Sequence, residues 1–205
     1  DFHGDFGQIR SDINLKLDKN HIDRSSFEGN LSLFDFDLGT LLKDTVSFQR
    51  VTMTGRVRGK GLTQETADFN LTGKINSIGI NSYTYQDITT DARFSKELFN
   101  GKLTINDPNL QLTADGSINI RKGEEIIKIK TNIDTLFADR IGFSRQPLFI
   151  HTEANVDTRG LKLDSLTGSA VLRDTFIEYQ DESLKLDSIY IRSVIAANQR
   201  HLILK

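Results

Sequence analysis

Apolar and polar residues alternate one for one along nearly the whole chain, and a period of two is the spacing of a strand with one buried face. It shows in Ile13 to Leu17, Leu31 to Leu33, Phe69 to Ile75, Leu103 to Ile105, Leu110 to Leu112, Ile118 to Ile120 and Ile127 to Ile129. It returns in Leu161 to Leu163, Leu184 to Leu186 and Ile189 to Ile191. Turn formers bound these runs at 18–20, 106–109, 122–124 and 157–160, where Gly supplies positive φ and Asn or Asp bonds its own backbone. The pattern predicts a meander of antiparallel strands. Two segments, 37–43 and 134–140, break the alternation behind an Asp that can cap a helix, so each is expected to form a short helical turn.

Motifs recur at a nearly fixed distance. Thr40, Leu41, Asp44 and Phe48 return as Thr135, Leu136, Asp139 and Phe143, an offset of 95. Leu71-Thr-Gly73 returns as Leu166-Thr-Gly168, Tyr85-Gln-Asp87 as Tyr179-Gln-Asp181, and Gly61-Leu62 as Gly160-Leu161. Several matches in order indicate tandem units, read here as 1–105 and 106–205. A finer pattern places Gly inside the strands at Gly29, Gly55, Gly73, Gly101, Gly116 and Gly168. Glycine weakens a strand, so its repetition predicts bulges, sharp bends or close backbone approach in a curved sheet that folds over lengthwise.

Composition limits the chemistry. Hydrophobic residues make up 37% and charged residues 26% of 205 residues, lean for a globular domain but too patterned for disorder. Lys and Arg total 26 against 28 Asp and Glu, with the signs interspersed, so no basic stripe exists for a phosphate backbone and no nucleic acid is expected as partner. Cysteine is absent, which removes thiol nucleophiles and Cys-ligated zinc. His3, His21, His151 and His201 are scattered without metal spacing. Ser165 and Ser188 follow Asp in a repeated strand motif rather than standing in a nucleophile elbow. The run Gly55, Gly59, Gly61 lacks the Lys-Ser/Thr ending of a phosphate loop. No catalytic residue, metal or cofactor is therefore expected. Lys16, Lys74, Lys102, Lys128, Lys130, Lys162 and Lys185 alternate with apolar positions, as on a solvated face that also discourages edge-to-edge aggregation.

The succession 69–75, Tyr83, Tyr85, Asp87, Ile88, then 99–108 and 110–116 resembles the TamB family of the AsmA-like superfamily, the translocation and assembly module, in its Bacteroidetes type. The resemblance implies an all-β, elongated, curved antiparallel sheet, a β-taco or U-shaped groove, with one or two short helical turns. This chain would be an interior segment of a longer β-groove repeat protein. It implies a periplasmic location, with the full-length protein anchored in the inner membrane and working with an outer-membrane barrel partner. The implied task is to conduct phospholipids between the membranes, linked to outer-membrane protein assembly and secretion. The alternative is a chaperone-like scaffold that pairs with strands of outer-membrane proteins by β-augmentation. Phospholipid acyl chains would lie along Leu31, Leu33, Phe69, Leu71, Ile75, Leu103, Ile105, Leu110, Leu112, Ile118, Ile120, Ile127, Ile129, Leu161, Leu163, Leu184, Leu186, Ile189 and Ile191. Phe34, Phe36, Tyr83, Tyr85 and Tyr179 are left open between such a lining and an ordinary core.

Overall fold

The computed structural model describes residues 2–63, 65–160, 166–180, 182–196 and 199–205. Fourteen strands form one antiparallel sheet: β1 (Phe2–Gly4), β2 (Gly7–Ser11), β3 (Asn14–Lys16), β4 (Ser26–Asp37), β5 (Phe48–Lys60), β6 (Asp68–Ile80), β7 (Tyr83–Ser95), β8 (Leu98–Asp107), β9 (Leu110–Asn119), β10 (Ile126–Phe137), β11 (Leu148–Arg159), β12 (Thr167–Tyr179), β13 (Glu182–Ala196) and β14 (Gln199–Leu204). Each strand pairs with its neighbour in sequence, except that β2 and β3 both pair with β4. The sheet does not close into a barrel. The chain divides into two compact units, Asp1–Lys96 with Leu103–Pro108 and Glu97–Lys102 with Asn109–Lys205.

In the first unit the register sorts residues cleanly between two faces. Leu33, Met53, Ile75 and Ile88 form one cross-strand row, and Phe27, Gly59, Phe69 and Phe94 another. The intervening rows, such as Glu28, Arg58, Asn70 and Arg93, are polar and lie on the opposite face. On that side Arg56 meets Glu28 at 2.7 Å and Arg93 meets Asp68 at 2.6 Å. Leu33, Phe36, Val51, Met53, Val57 and Leu71 form the buried centre, with Ile9, Ile13, Leu38 and Phe69 packed against it. At roughly 1.5–3 kcal/mol for each fully buried side chain, this cluster is the main apolar support of the unit.

A single sheet buries such a cluster only by folding back on itself. Leu41 and Lys43, which follow the C-terminal end of β4, and Gly61, Leu62, Thr63, Glu65 and Ala67, which follow the far end of its antiparallel partner β5, line one hollow. Laid flat, thirteen residues would hold those ends about 43 Å apart. The bend is accommodated by the β4 bulge between Leu33 and Phe36 and by glycine. Gly73 sits so close to β5 that an added Cβ would lie 2.4 Å from the Thr54 carbonyl oxygen. These are the close approach and bending predicted for in-strand glycines.

The helix α1 (Leu38–Leu42) forms where the capping signal placed it. Asp37 accepts from the Thr40 N–H at 2.9 Å and from its hydroxyl at 2.8 Å, and Lys43 closes the turn in the left-handed conformation. The second expected helical turn, 134–140, is corrected: β10 continues through Phe137, and 138–142 is a hydrogen-bonded turn. Phe143 N–H and Ser144 N–H both return to the Ala138 carbonyl, while Ala138 N–H donates to Leu148, which draws the segment into a tight link between strands. A 3-10 turn forms at Ile22–Arg24, where none was expected. Likewise 157–159, expected as a turn, belongs to β11, paired with Ile126, Ile127 and Lys128.

Structural repetition also departs from the offset of 95, which sets helical Thr40 and Leu41 against Thr135 and Leu136 of a strand. Strands beginning at 26, 48, 68 and 83 are answered by strands beginning at 126, 148, 167 and 182, offsets of 100, 100, 99 and 99. The bulge between Leu33 and Phe36 recurs between Ile133 and Leu136. Of the motif matches, Gly61 with Gly160 follows this spacing.

Candidate functional site

Three kinds of local sequence place apolar side chains around the hollow of the first unit. β3 contributes Leu15 with Ile13 just before it, the starts of β4 and β6 contribute Phe27 and Phe69, α1 contributes Leu41, and the loop after β5 contributes Leu62 and Ala67. Its volume is about 680 Å³, and Lys43, Thr63 and Glu65 stand at its polar margin. Leu15, Leu41 and Leu62 are 47%, 61% and 40% exposed, so apolar surface faces solvent at this opening. Phe69 bridges the aromatic row, stacked on Phe94 at 5.7 Å and tilted against Phe27 at 6.4 Å. Such a concavity binds aliphatic groups by their removal from water, about 0.8 kcal/mol per methylene.

The proposed lining residues that the structure describes fall into three environments. Leu33, Leu71, Ile105 and Leu110 are buried, the first two within the packed centre of the first unit. Leu31, Phe69, Ile75, Leu103, Leu112, Ile118, Ile127, Ile129, Leu186, Ile189 and Ile191 are half-buried. Ile120 and Leu184 are exposed, while Leu161 and Leu163 lie outside the described residues. Leu112 with Ile133, and Ile118 with Ile127, share one face of the second unit, followed by Val156, Ala170 and Ile191 across β11, β12 and β13. Of the apolar side chains around the hollow, Phe69 was in the expected lining, and Ile13, Leu15, Phe27, Leu41, Leu62 and Ala67 were missed. Leu41, Leu62 and Ala67 lie in or beside loops, where alternation carries no information, but Phe27 is in phase with Leu31 and Leu33 and was legible.

Aromatic and charged candidates separate by structure. Phe36 is buried in the core, whereas Phe34 lies outside it with the Arg10 guanidinium 5.5 Å from its ring centre. Tyr83 and Tyr85 meet edge to face at 4.7 Å. The Tyr83 hydroxyl and the Gln86 N–H donate to Asp107, which is fully buried and ties the start of β7 to the end of β8. Burial first, then the Asp107 carboxylate, pushes the Tyr85 hydroxyl above its ordinary pKa of 10.0. Tyr179 is exposed.

His21 lies near Asp18 on the surface, His151 spans β10 and β12, and His201 is exposed. No group of three metal-ligating side chains occurs among the described residues. Ser188 is exposed in β13, and Ser165 and Lys162 lie outside the described residues. Gly55 and Gly59 are interior positions of β5. Lys16, Lys74, Lys128 and Lys130 occupy polar registers, Lys74 meeting Asp87 at 2.6 Å and Lys128 meeting Asp157 at 3.4 Å. Among the described residues, no helix is long and apolar enough to cross a membrane.

The chain matches no protein-family model, no curated protein and no solved structure.

Proposed function

We propose that the apolar face of this sheet is a carrier surface for phospholipid acyl chains. The observation that carries this reading is the hollow of the first unit, where Leu15, Leu41 and Leu62 remain open to solvent beside Phe27 and Phe69. A second support is the half-buried apolar face of the second unit. A folded-over sheet gives acyl chains a dry lining without directional chemistry, and the charged opposite face keeps the protein in water. In this reading the chain is an interior segment of a TamB-like protein. It would stand in the periplasm of a cell with two membranes, anchored in the inner membrane through another segment, and pass lipid toward an outer-membrane barrel partner.

The test is native mass spectrometry of the purified chain after loading with phospholipid, beside a double variant, Leu15→Asp with Leu41→Asp. Both substituted side chains are largely exposed, so the fold is expected to survive while lipid adducts from the first unit disappear. A delipidated wild-type chain that takes up no phospholipid, or a variant that loads as well as wild type, would sink the reading.

One observation favours the alternative, strand capture. β14 pairs with β13 only along residues 191–196, extended by the Tyr190 and Lys205 backbone bonds. Among the described residues, no strand lies against the outer edge of 182–189. An edge of alternating Leu184, Lys185, Leu186 and Asp187 is a template for an extended strand, from a following segment of the same protein or from an outer-membrane protein. Photocrosslinkers at Lys185 and Leu15 separate the readings: peptide captured at the first favours strand capture, lipid at the second favours the carrier.

A further inference from the structure

The β4 bulge of the first unit and its counterpart on β10 are both fastened from the next strand, but by different chemistry. In β5, Thr52 lies between Val51 and Met53, which pair with Phe36 and Leu33 on either side of the bulge. Its hydroxyl oxygen accepts from the Asp35 N–H at 3.1 Å, and Arg50 donates to the Asp35 carbonyl at 2.6 Å. In β11 the corresponding residue is His151, between Ile150 and Thr152, which pair with Leu136 and Ile133. The His151 Nδ1 lies 3.1 Å from the Asp134 carbonyl oxygen, inside the β10 bulge. Its Nε2 lies 3.5 Å from Asp174 Oδ2. Asp174 occupies the irregular stretch of β12, with φ of 44°. One imidazole therefore reaches an irregularity on each side of its strand.

Both partners are acceptors only: a backbone carbonyl and a carboxylate. A neutral imidazole has one N–H and satisfies one of them, whereas imidazolium has two and satisfies both. We propose that His151 is a proton-operated clasp, closed between β10 and β12 when the ring is charged and released on one side when it is neutral. The bulge that unit one fastens with a hydroxyl accepting from an N–H, indifferent to pH, is fastened in unit two by a titrating ring that faces a carbonyl.

The surrounding charges agree in sign. Asp134 on β10 and Asp174 on β12 face the ring, and on β11 itself Glu153 is two residues along, paired in register with Arg173 of β12. Beyond β12, Lys185 of β13 is in register with Phe176, the partner of His151. The Asp134 carbonyl raises the ring above its ordinary value of 6.5; burial opposes it, and the Asp174 carboxylate adds a further upward push. A base with a higher pKa in the folded state stabilises that state fully below its unfolded pKa, and the contribution fades as pH rises through the folded value. The clasp is thus closed at pH values below 6.5 and opens as pH rises through the ring's raised folded value.

Hydrogen exchange on the intact chain tests this, expressed as protection factors so that the intrinsic base-catalysed rate is removed. From about pH 5.5 to about pH 8, protection at Asp134, Thr135, Asp174 and Thr175 should fall by about two- to tenfold, the scale of one net hydrogen bond lost. In His151→Thr, which installs the hydroxyl of the first unit, the same amides should hold constant protection. Ring titration by NMR should place His151 above 6.5 in wild type and move it down in Asp174→Asn, and this reading stands even if the threonine variant folds poorly. A flat wild-type profile, an equal fall in His151→Thr, a ring titrating at or below 6.5, or no movement in Asp174→Asn would each overturn the clasp.

Discussion

The two units share an order of strands and a bulge, yet they use different interiors. Of the buried apolar side chains among the described residues, Leu33, Phe36, Val51, Met53, Val57, Leu71, Tyr85, Ile88, Ala92 and Ile105 belong to the first unit. The second contributes Leu110, Ala114, Ala138 and Ile141, while buried polar side chains occur in both, Ser25, Thr90 and Asp107 in the first and Thr152, Thr175 and Ser193 in the second. The exchange is visible at single positions. Met53 pairs with Ile75 in the first unit, while its counterpart Thr152 is hydrogen-bonded to Thr175 at 2.8 Å. The first unit also breaks one strand in two: β2 and β3 together take the place on β4 that unbroken β9 takes on β10. A common backbone plan therefore tolerates either a packed apolar centre or a partly open face stitched by polar pairs.

Substitutions can break this contrast or sharpen it. Leu71→Ala, in the packed centre, should cost about 2–5 kcal/mol in denaturant unfolding, whereas half-buried Ile129→Ala should cost about 1 kcal/mol. Equal losses would show that the second unit is as tightly packed as the first. Gly116→Ala comes next: φ is 153°, and an added Cβ would lie 2.1 Å from the Lys128 carbonyl oxygen. Roughly 1–3 kcal/mol of strain is expected there, with loss of exchange protection along β9 and β10. Thr175→Val should cost about 1–3 kcal/mol by leaving the buried Thr152 hydroxyl short of a partner, and adding Thr152→Val should recover most of it. A double variant no better than the single would mean that the hydroxyls serve their backbone bonds rather than each other.

The smallest effect is a difference in sign with pH. Asp68 is held below its ordinary carboxylate value of 3.8 chiefly by its hydrogen bonds from Arg93, at 2.7 and 2.6 Å. Its contribution is present above 3.8 and is lost as pH falls through the lowered folded value. Asp68→Asn should remove that acid sensitivity from the first unit at a cost of no more than about 1 kcal/mol, since Arg93 is half exposed. His151 in the second unit works in the opposite direction, losing its contribution as pH rises. Local exchange measured in each unit across acid and neutral pH separates the two.

Alternation made the strand meander legible because each strand presents a single apolar face, as in Phe69, Leu71, Gly73 and Ile75 of β6. It failed where faces and elements are decided elsewhere. At 134–140 the capping Asp and the absence of alternation resembled the 37–43 segment, but the β10 bulge lets Ile133 and Leu136 share a face three residues apart. That skip imitates a helical period. The residues around the hollow were only partly readable: Phe27 lies in phase with its strand, whereas Leu41 and Leu62 are brought near it by folding of the sheet, which is a distant property of the chain. His151 gave no motif at all, because its partners Asp134 and Asp174 come from the two adjacent strands and are chosen by bulges.

The nearest-neighbour order of the strands bears on how such a chain lengthens. From β5 onward each described strand hydrogen-bonds only to those before and after it, so among the described residues no strand is threaded between two others. Duplicating one hairpin, or deleting one, leaves the remaining pairings with the same partners and the same direction. A gene of this kind can change its number of strands in even steps without inventing a new connection, and each ribosome-delivered hairpin finds its place on a seam already formed.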